Sequence, residues 1–293
     1  MDFEQIKQQK TEEINLFLKE FLPEESGKEK VLYEAMNYSV EVGGKRLRPM
    51  ILLEAYRMFG GKDNAARPFA AALEMIHTYS LVHDDLPAMD NDMYRRGKLT
   101  THAKYGEAMG ILAGDGLLNY AFEVMSDAVC EQGINAAKAM GILAKKAGVR
   151  GMIAGQTVDL LWTGKPQTKE LLDYINERKT SALLCGALMA GAALAGATDA
   201  ELSVLEQVGV FVGLAFQIKD DILDVIGDES KLGKPLHSDE KNEKNTYVSL
   251  MGIEKAEESV RDFSKHAVEL LETLPYENVF LKELLWSLCA REY

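Results

Sequence analysis

Two short acidic segments dominate the chemistry available to this chain. Residues 81–92 read Leu-Val-His-Asp-Asp-Leu-Pro-Ala-Met-Asp-Asn-Asp and place Asp84, Asp85, Asp90 and Asp92 at the end of an apolar run. Residues 217–224 read Gln-Ile-Lys-Asp-Asp-Ile-Leu-Asp and set Asp220, Asp221 and Asp224 in a stretch otherwise almost wholly apolar from Val208 to Ile226. In a helix, Asp220 and Asp224 stand one turn apart on one face, where like charges cost about 0.2–0.5 kcal/mol per pair and burial raises the cost. A solvated helix end explains the first cluster as well as a function does. The second breaks a local rule and calls for a counter-ion. Oxygen ligands without His or Cys at matching spacing favour a hard cation, and Mg²⁺ suits a few carboxylates completed by phosphate oxygens and water. If both clusters face one cavity, they would hold a metal-bound diphosphate and neutralise it as it leaves carbon.

A polyphosphate also needs cations. Gly43-Gly44-Lys45-Arg46-Leu47-Arg48-Pro49 gathers three positive charges behind a glycine pair, directly before a helical pattern. Arginine can fork onto two phosphate oxygens, whereas lysine acts as a point charge. Arg95 and Arg96 follow the first acidic cluster, Lys179-Thr180 opens an apolar stretch, and Lys234 and Lys244 flank the loop after the second cluster. Each alone reads as an ordinary surface charge; together with two acid clusters they read as a polyphosphate site. His77 taken alone reads as a satisfied core histidine, but it lies two helical turns before Asp84. His83 has no role assigned by its surroundings.

The elements that must position these groups are helices. Val204, Val208, Phe211, Val212 and Ala215 recur at spacings of three and four, and no alternating strand pattern persists. Glycine and proline breakers divide the chain into roughly a dozen helices with short connections. The segments Glu107–Cys130, Lys179–Gly196 and Glu201–Ile226 are long enough to wall a deep central cavity. With no Gly-, Ser- or Pro-rich linker and no fixed-period repeat, residues 1–293 read as a single all-α domain.

Composition agrees. Hydrophobic residues make up 47% and charged residues 27% of the chain, the balance of a folded protein. A formal net charge of −13 argues against nucleic acid as partner. Cys130, Cys185 and Cys289 are widely spaced, which fits small core residues in a reducing cytoplasm. The N-terminus lacks an export signal's basic region and apolar core. Residues 182–197, rich in Ala and Gly, fall short of the ~20 apolar residues of a membrane span and read as a buried helix.

The motifs GGKRLRP at 43–49, DDLPAMD at 84–90, RR at 95–96, GQTVD at 155–159, KT at 179–180, FQIKDDILD at 216–224, GK at 233–234 and KNTY at 244–247 resemble, in order and spacing, those of trans-prenyl diphosphate synthases. The similarity is greatest to the bacterial farnesyl diphosphate synthases of that family. It implies an all-α homodimer that condenses isopentenyl diphosphate with dimethylallyl or geranyl diphosphate. It also implies three Mg²⁺ per active site, replaceable by Mn²⁺, bound through Asp84, Asp85, Asp90, Asp220, Asp221 and Asp224. Arg95, Lys179 and Lys234 would contact the allylic diphosphate, and Lys244 would also bind substrate. Lys45, Arg48, His77 and Arg96 would take isopentenyl diphosphate, and the oxygens of Thr180 and Gln217 would steady the developing carbocation.

The first acidic motif ends at Asp90 where a simpler DDxxD would end at position 88, which is Ala88; two residues are inserted, with Pro87 among those between the acids, as in the bacterial farnesyl and plant-like geranylgeranyl types. Tyr79 lies five residues before Asp84, about 7.5 Å along the helix. A ring there could floor a tunnel, and in the enzymes this chain resembles an aromatic residue at this place accompanies fifteen-carbon products; Tyr79 also reads as a plain core aromatic, and Ser80 or residues on facing helices could open a bypass. The alternatives are a twenty-carbon geranylgeranyl product; a non-catalytic partner subunit, a class that tends to lose the acids or the basic loop, whereas every motif is intact here; and a class I terpene cyclase, which usually carries a different second metal motif and no isopentenyl site.

Overall fold

The computed structural model describes residues 2–227 and 245–290. These are helical nearly throughout, as expected, and they gather into two compact units: Met1–Leu53 with Lys62–Met140, and Glu54–Gly61 with Gly141–Tyr293.

The first unit is organised by α4 (Arg67–Asp84). Phe69 to Ile76 are buried without interruption, so this helix is enclosed on every side at its middle, as a central helix must be. Around it pack α1 (Phe3–Leu18), α2 (Lys30–Glu41) and α6 (Glu107–Gln132). Asp2 and Gln5 cap α1 reciprocally, satisfying backbone donors that its first turn leaves open. The face that α6 buries runs Gly110, Ala113, Gly114, Leu117, Ala121, Met125 and Ala128, a helical stripe of mostly small residues that lets two helices approach closely. The short α5 (Thr101–Tyr105) precedes α6, and α3 (Leu47–Met58) follows the basic loop. A two-stranded hairpin, β1 (Tyr94–Arg95) and β2 (Lys98–Leu99), interrupts the helical pattern. Its strands are too short for an alternating sequence signal. Arg96 and Gly97 both have positive φ, 53° and 76°, which a tight two-residue hairpin turn requires.

The second unit is organised by α11 (Asp199–Ile226), capped reciprocally by Thr198 and Glu201. It packs against α10 (Ala182–Leu194), α13 (Ile253–Leu271) and α14 (Val279–Ala290). The apolar stretch at 182–197 is, as expected, a buried helix. Its start differs from expectation. Lys179 does not open a helix, because α9 (Lys169–Asn176) runs into a π-helical turn at Glu177–Ser181 and thence into α10. A π turn inserts a residue into an otherwise regular helix, and such insertions gather at functional sites. The remaining helices are α7 (Ile134–Ala147), α8 (Met152–Trp162) and α12 (Tyr247–Met251). Cys185 and Cys289 are core residues, but Cys130 is exposed, because it falls on the face of α6 away from the buried stripe.

Candidate active site

The first acidic cluster grows out of the C-terminal end of α4. Asp84 is its last residue and Asp85 its cap. The helix macrodipole is negative at this end, so carboxylates here create a demand for cations. The residues that lengthen the motif fold into a compact turn: the Asp90 amide donates to the Asp84 carbonyl at 2.8 Å, and the Asn91 amide donates to the Leu86 carbonyl at 3.1 Å. Asn91 takes positive φ, a conformation its short polar side chain tolerates. The longer motif thereby returns Asp90 to the end of the helix that carries Asp84.

Asp85 is buried and gripped by Arg95, whose Nε donates at 2.8 and 3.0 Å and whose Nη2 donates at 2.5 Å. Burial pushes the Asp85 carboxyl up from its ordinary value while Arg95 pulls it down. The hairpin sends the next side chain elsewhere: Arg96 Nη1 donates to the Gly43 carbonyl. Gly44 makes that possible, because a Cβ there would lie 2.6 Å from Arg96 Nη1.

The basic loop and α4 form a cation group in the same unit. Arg48 Nη1 lies 3.3 Å from His77 Nε2. Burial, followed by the charges of Arg48, Arg96, Arg95 and Arg46, holds His77 well below the ordinary histidine range. The ring is therefore neutral at pH 7 and its Nε2 accepts from Arg48. Burial lowers Arg48 to about 10, opposed by Glu74 and reinforced by Arg96, which still leaves it charged at neutral pH. Arg48 Nε is buried with no hydrogen-bond partner among the described residues. Lys45 is exposed beside this group.

Tyr79 is buried on α4, edge-on to His83 with ring centroids 5.8 Å apart. Ser80 donates to the His77 carbonyl at 2.8 Å. His83 packs where a side chain at Gly114 would sit and donates from Nε2 to the Ile111 carbonyl at 3.1 Å, tying the acid-bearing end of α4 to α6.

In the second unit, Asp221 and Asp224 are buried and Asp220 is half-buried on α11. Asp221 accepts from Gln217 Nε2 at 3.1 Å and from the Tyr247 amide at 2.8 Å. Gln217 Oε1 accepts from the Thr180 hydroxyl at 3.1 Å. Lys179, on the π turn, donates to Asp159 at 2.6 Å. Gly155 is what lets α8 approach that turn: a Cβ there would lie 2.3 Å from the Lys179 amide nitrogen and 2.8 Å from its Cα. Gly155→Ala should therefore destabilise the protein by about 1–3 kcal/mol, read as a lower urea midpoint, and displace Lys179; an unchanged midpoint would mean that α8 can retreat.

Lys179, Thr180, Gln217, Asp220, Asp221 and Asp224 thus belong to one neighbourhood of the second unit. Asp84, Asp85, Asp90, Arg95, Arg96, Arg48 and His77 belong to the first. Lys234 and Lys244 lie outside the described residues. Asp159, Tyr247 and Arg46 take structural parts that the motifs contained without assigning: Tyr247 also donates its hydroxyl to Asp173 at 2.6 Å, and Arg46 is buried against Glu74. Among the described residues no three His, Cys, Asp or Glu side chains converge into a ready-made metal site.

The polyprenyl synthetase family profile matches residues 29–274. A farnesyl diphosphate synthase of Micrococcus luteus is 43% identical over 260 residues, covering 89% of each chain. A chloroplastic geranylgeranyl pyrophosphate synthase of Capsicum annuum is 44% identical over 246 residues, covering 83% of this chain and 66% of that one. Among solved structures, a geranyltransferase from Helicobacter pylori complexed with magnesium and isoprenyl diphosphate superposes with a TM-score of 0.84 at 33% identity, covering 98% of this chain and 96% of that one. With a match over most of its length and relatives this similar, the chain belongs to the polyprenyl synthetase family.

Proposed function

We infer that the chain is a trans-prenyl diphosphate synthase that condenses isopentenyl diphosphate with dimethylallyl or geranyl diphosphate and releases farnesyl diphosphate. The observation that carries this reading is the pairing, within one unit, of an acid-bearing helix end with a cation group whose Arg48 Nε is buried with no partner among the described residues. One half suits a metal-bound diphosphate, the other a bare one.

Asp84, Asp85, Asp90, Asp220, Asp221 and Asp224 would hold Mg²⁺. Arg95 orients Asp85, and Gln217 with the Tyr247 amide orients Asp221. When bound, Mg²⁺ lowers the charge on the allylic diphosphate and makes it a better leaving group. Lys179 and Arg95 bind that diphosphate; Lys179 exchanges its Asp159 partner for phosphate oxygens. Lys45, Arg48 and Arg96 bind the second diphosphate, with neutral His77 accepting from Arg48. The allylic C–O bond breaks, the isopentenyl double bond attacks the cationic carbon, a C–C bond forms and a proton leaves. Thr180 and Gln217 present oxygens, the atoms that stabilise a positive carbon. Departing pyrophosphate takes the proton, so no side-chain base is required.

Three Mg²⁺ per site, replaceable by Mn²⁺, complete this reading, as does one polyprenyl synthase domain spanning both units. We also propose a cytoplasmic homodimer; the exposed Ile111 and Leu112 on α6 support a buried partner there. Among the described residues α11 is long and apolar enough to cross a membrane, but half of its apolar window is buried and it carries the acid cluster, which supports a core helix.

Purified protein incubated with Mg²⁺, isopentenyl diphosphate and geranyl diphosphate should give a dominant fifteen-carbon diphosphate by mass spectrometry. A twenty-carbon product would favour the geranylgeranyl reading that the Capsicum relative supports, and no condensation would overturn the reading altogether.

A further inference from the structure

Arg46 differs from Arg48 in that every nitrogen of its guanidinium has a partner within the protein. Its guanidinium is spent on three partners: Nη1 donates to Glu74 at 2.6 Å, Nη2 to the Val40 carbonyl at 2.7 Å and Nε to Asn15 at 2.8 Å. Both charged side chains are almost fully buried, with 3% and 4% of their surface exposed. Arg46 also holds φ at 47°, a left-handed conformation that few residues other than glycine adopt, so the surrounding bonds must over-determine it.

The pair has a neighbour in parallel. Arg46 ends the loop and Arg48 lies two residues on, in the first turn of α3; Glu74 and His77 are three apart on one face of α4. Arg46–Glu74 and Arg48–His77 thus form two adjacent rungs between this segment and α4. Glu74 further offsets the charges of Arg48 and Arg96, which would otherwise repel while no anion is bound.

A buried ion pair is weak evidence for stability, because well-packed apolar residues of similar volume often serve as well or better. Its place beside a binding loop asks for another role. We propose that the Arg46–Glu74 pair is a positioning device: it locks the loop at 43–46 and the start of α3 onto α4 so that Lys45 and Arg48 are set for the isopentenyl diphosphate, without either member touching substrate. This rests on the function inferred above.

The test is steady-state kinetics in which isopentenyl and geranyl diphosphate are varied separately, with thermal unfolding alongside. Arg46→Met with Glu74→Met should raise KM for isopentenyl diphosphate about tenfold, leave kcat and KM for geranyl diphosphate within about twofold, and keep the Tm at or above that of the wild type. Each single substitution should raise the same KM as much as the double one does, since the two residues act as a unit. The singles strand a buried charge and can fail to fold; Asn15→Ala, which removes one bond and leaves the ion pair, should still raise that KM about threefold. An unchanged isopentenyl KM in the double variant and in Asn15→Ala, in an active wild-type background, overturns the positioning role alone, as does an equal rise in both KM values. A wild type with no condensation activity overturns the function, and this inference falls with it.

Discussion

Asp84→Ala and Asp220→Ala should each lower kcat by roughly 10³-fold, the scale of losing one preorganised contact to developing charge, while the protein stays folded. Neither residue is a core packing group. Asp84 sits at the negative end of α4, where a carboxylate is unfavourable, and Asp220 stands one helical turn from Asp224. Alanine is also the better helix former at both positions. Tm should therefore stay within a few degrees of the wild type in each variant, and circular dichroism should show the helices intact. EDTA should reproduce the loss in the unsubstituted protein, and added Mg²⁺ should reverse it. Substantial turnover in both variants would remove the metal-clamp mechanism, because each acid cluster would then be dispensable.

Replacing Tyr79 with Ala should change the product rather than the rate. The ring is buried, and burial followed by the Asp84 charge raises its hydroxyl to about 12, so it stays neutral and presents an uncharged barrier. It stands edge-on to His83, which is itself tied to α6, so the ring is braced rather than free to swing. The ring and its oxygen are bulkier than one five-carbon unit, so their removal leaves room for at least one more condensation. The expected result is a spectrum dominated by twenty carbons and longer, with KM for isopentenyl diphosphate little changed because the cation group is untouched. A product still confined to fifteen carbons would place the floor on another residue.

What the sequence makes legible follows from how far each signal reaches. Acids inside an apolar helix break a rule that is local, so the cluster at 220–224 stands out from the order of residue types alone, and so does the helical spacing of α11. The glycine pair and cations at 43–48 are equally local. Arg46 and Glu74 are not: 28 positions separate them, and nothing in a run of three cations says which one turns inward. Glu74 does leave a trace, as a single charge in the apolar run from Phe69 to Ile76. Tyr247 reaches Asp221 through a backbone amide, which no side-chain pattern reports. Period counting fails at Lys179 because a π turn shifts the helix by one residue and leaves the composition unchanged. The hairpin at 94–99 escapes because two-residue strands have no period at all.

The π turn also makes this stretch unequally tolerant of different genetic accidents. Each residue advances a helix by ~100°, so the extra residue within Glu177–Ser181 sets the phase between α9 upstream and α10 downstream. A substitution there alters one side chain and leaves the phase alone. Loss of a single codon would let the helix relax to regular winding and rotate all of α10 against α11, turning Cys185 from Gly209 and Ser181 from Gly213, where backbones now meet too closely for any added carbon. Inheritance of this segment is thus constrained in its length more tightly than in its letters.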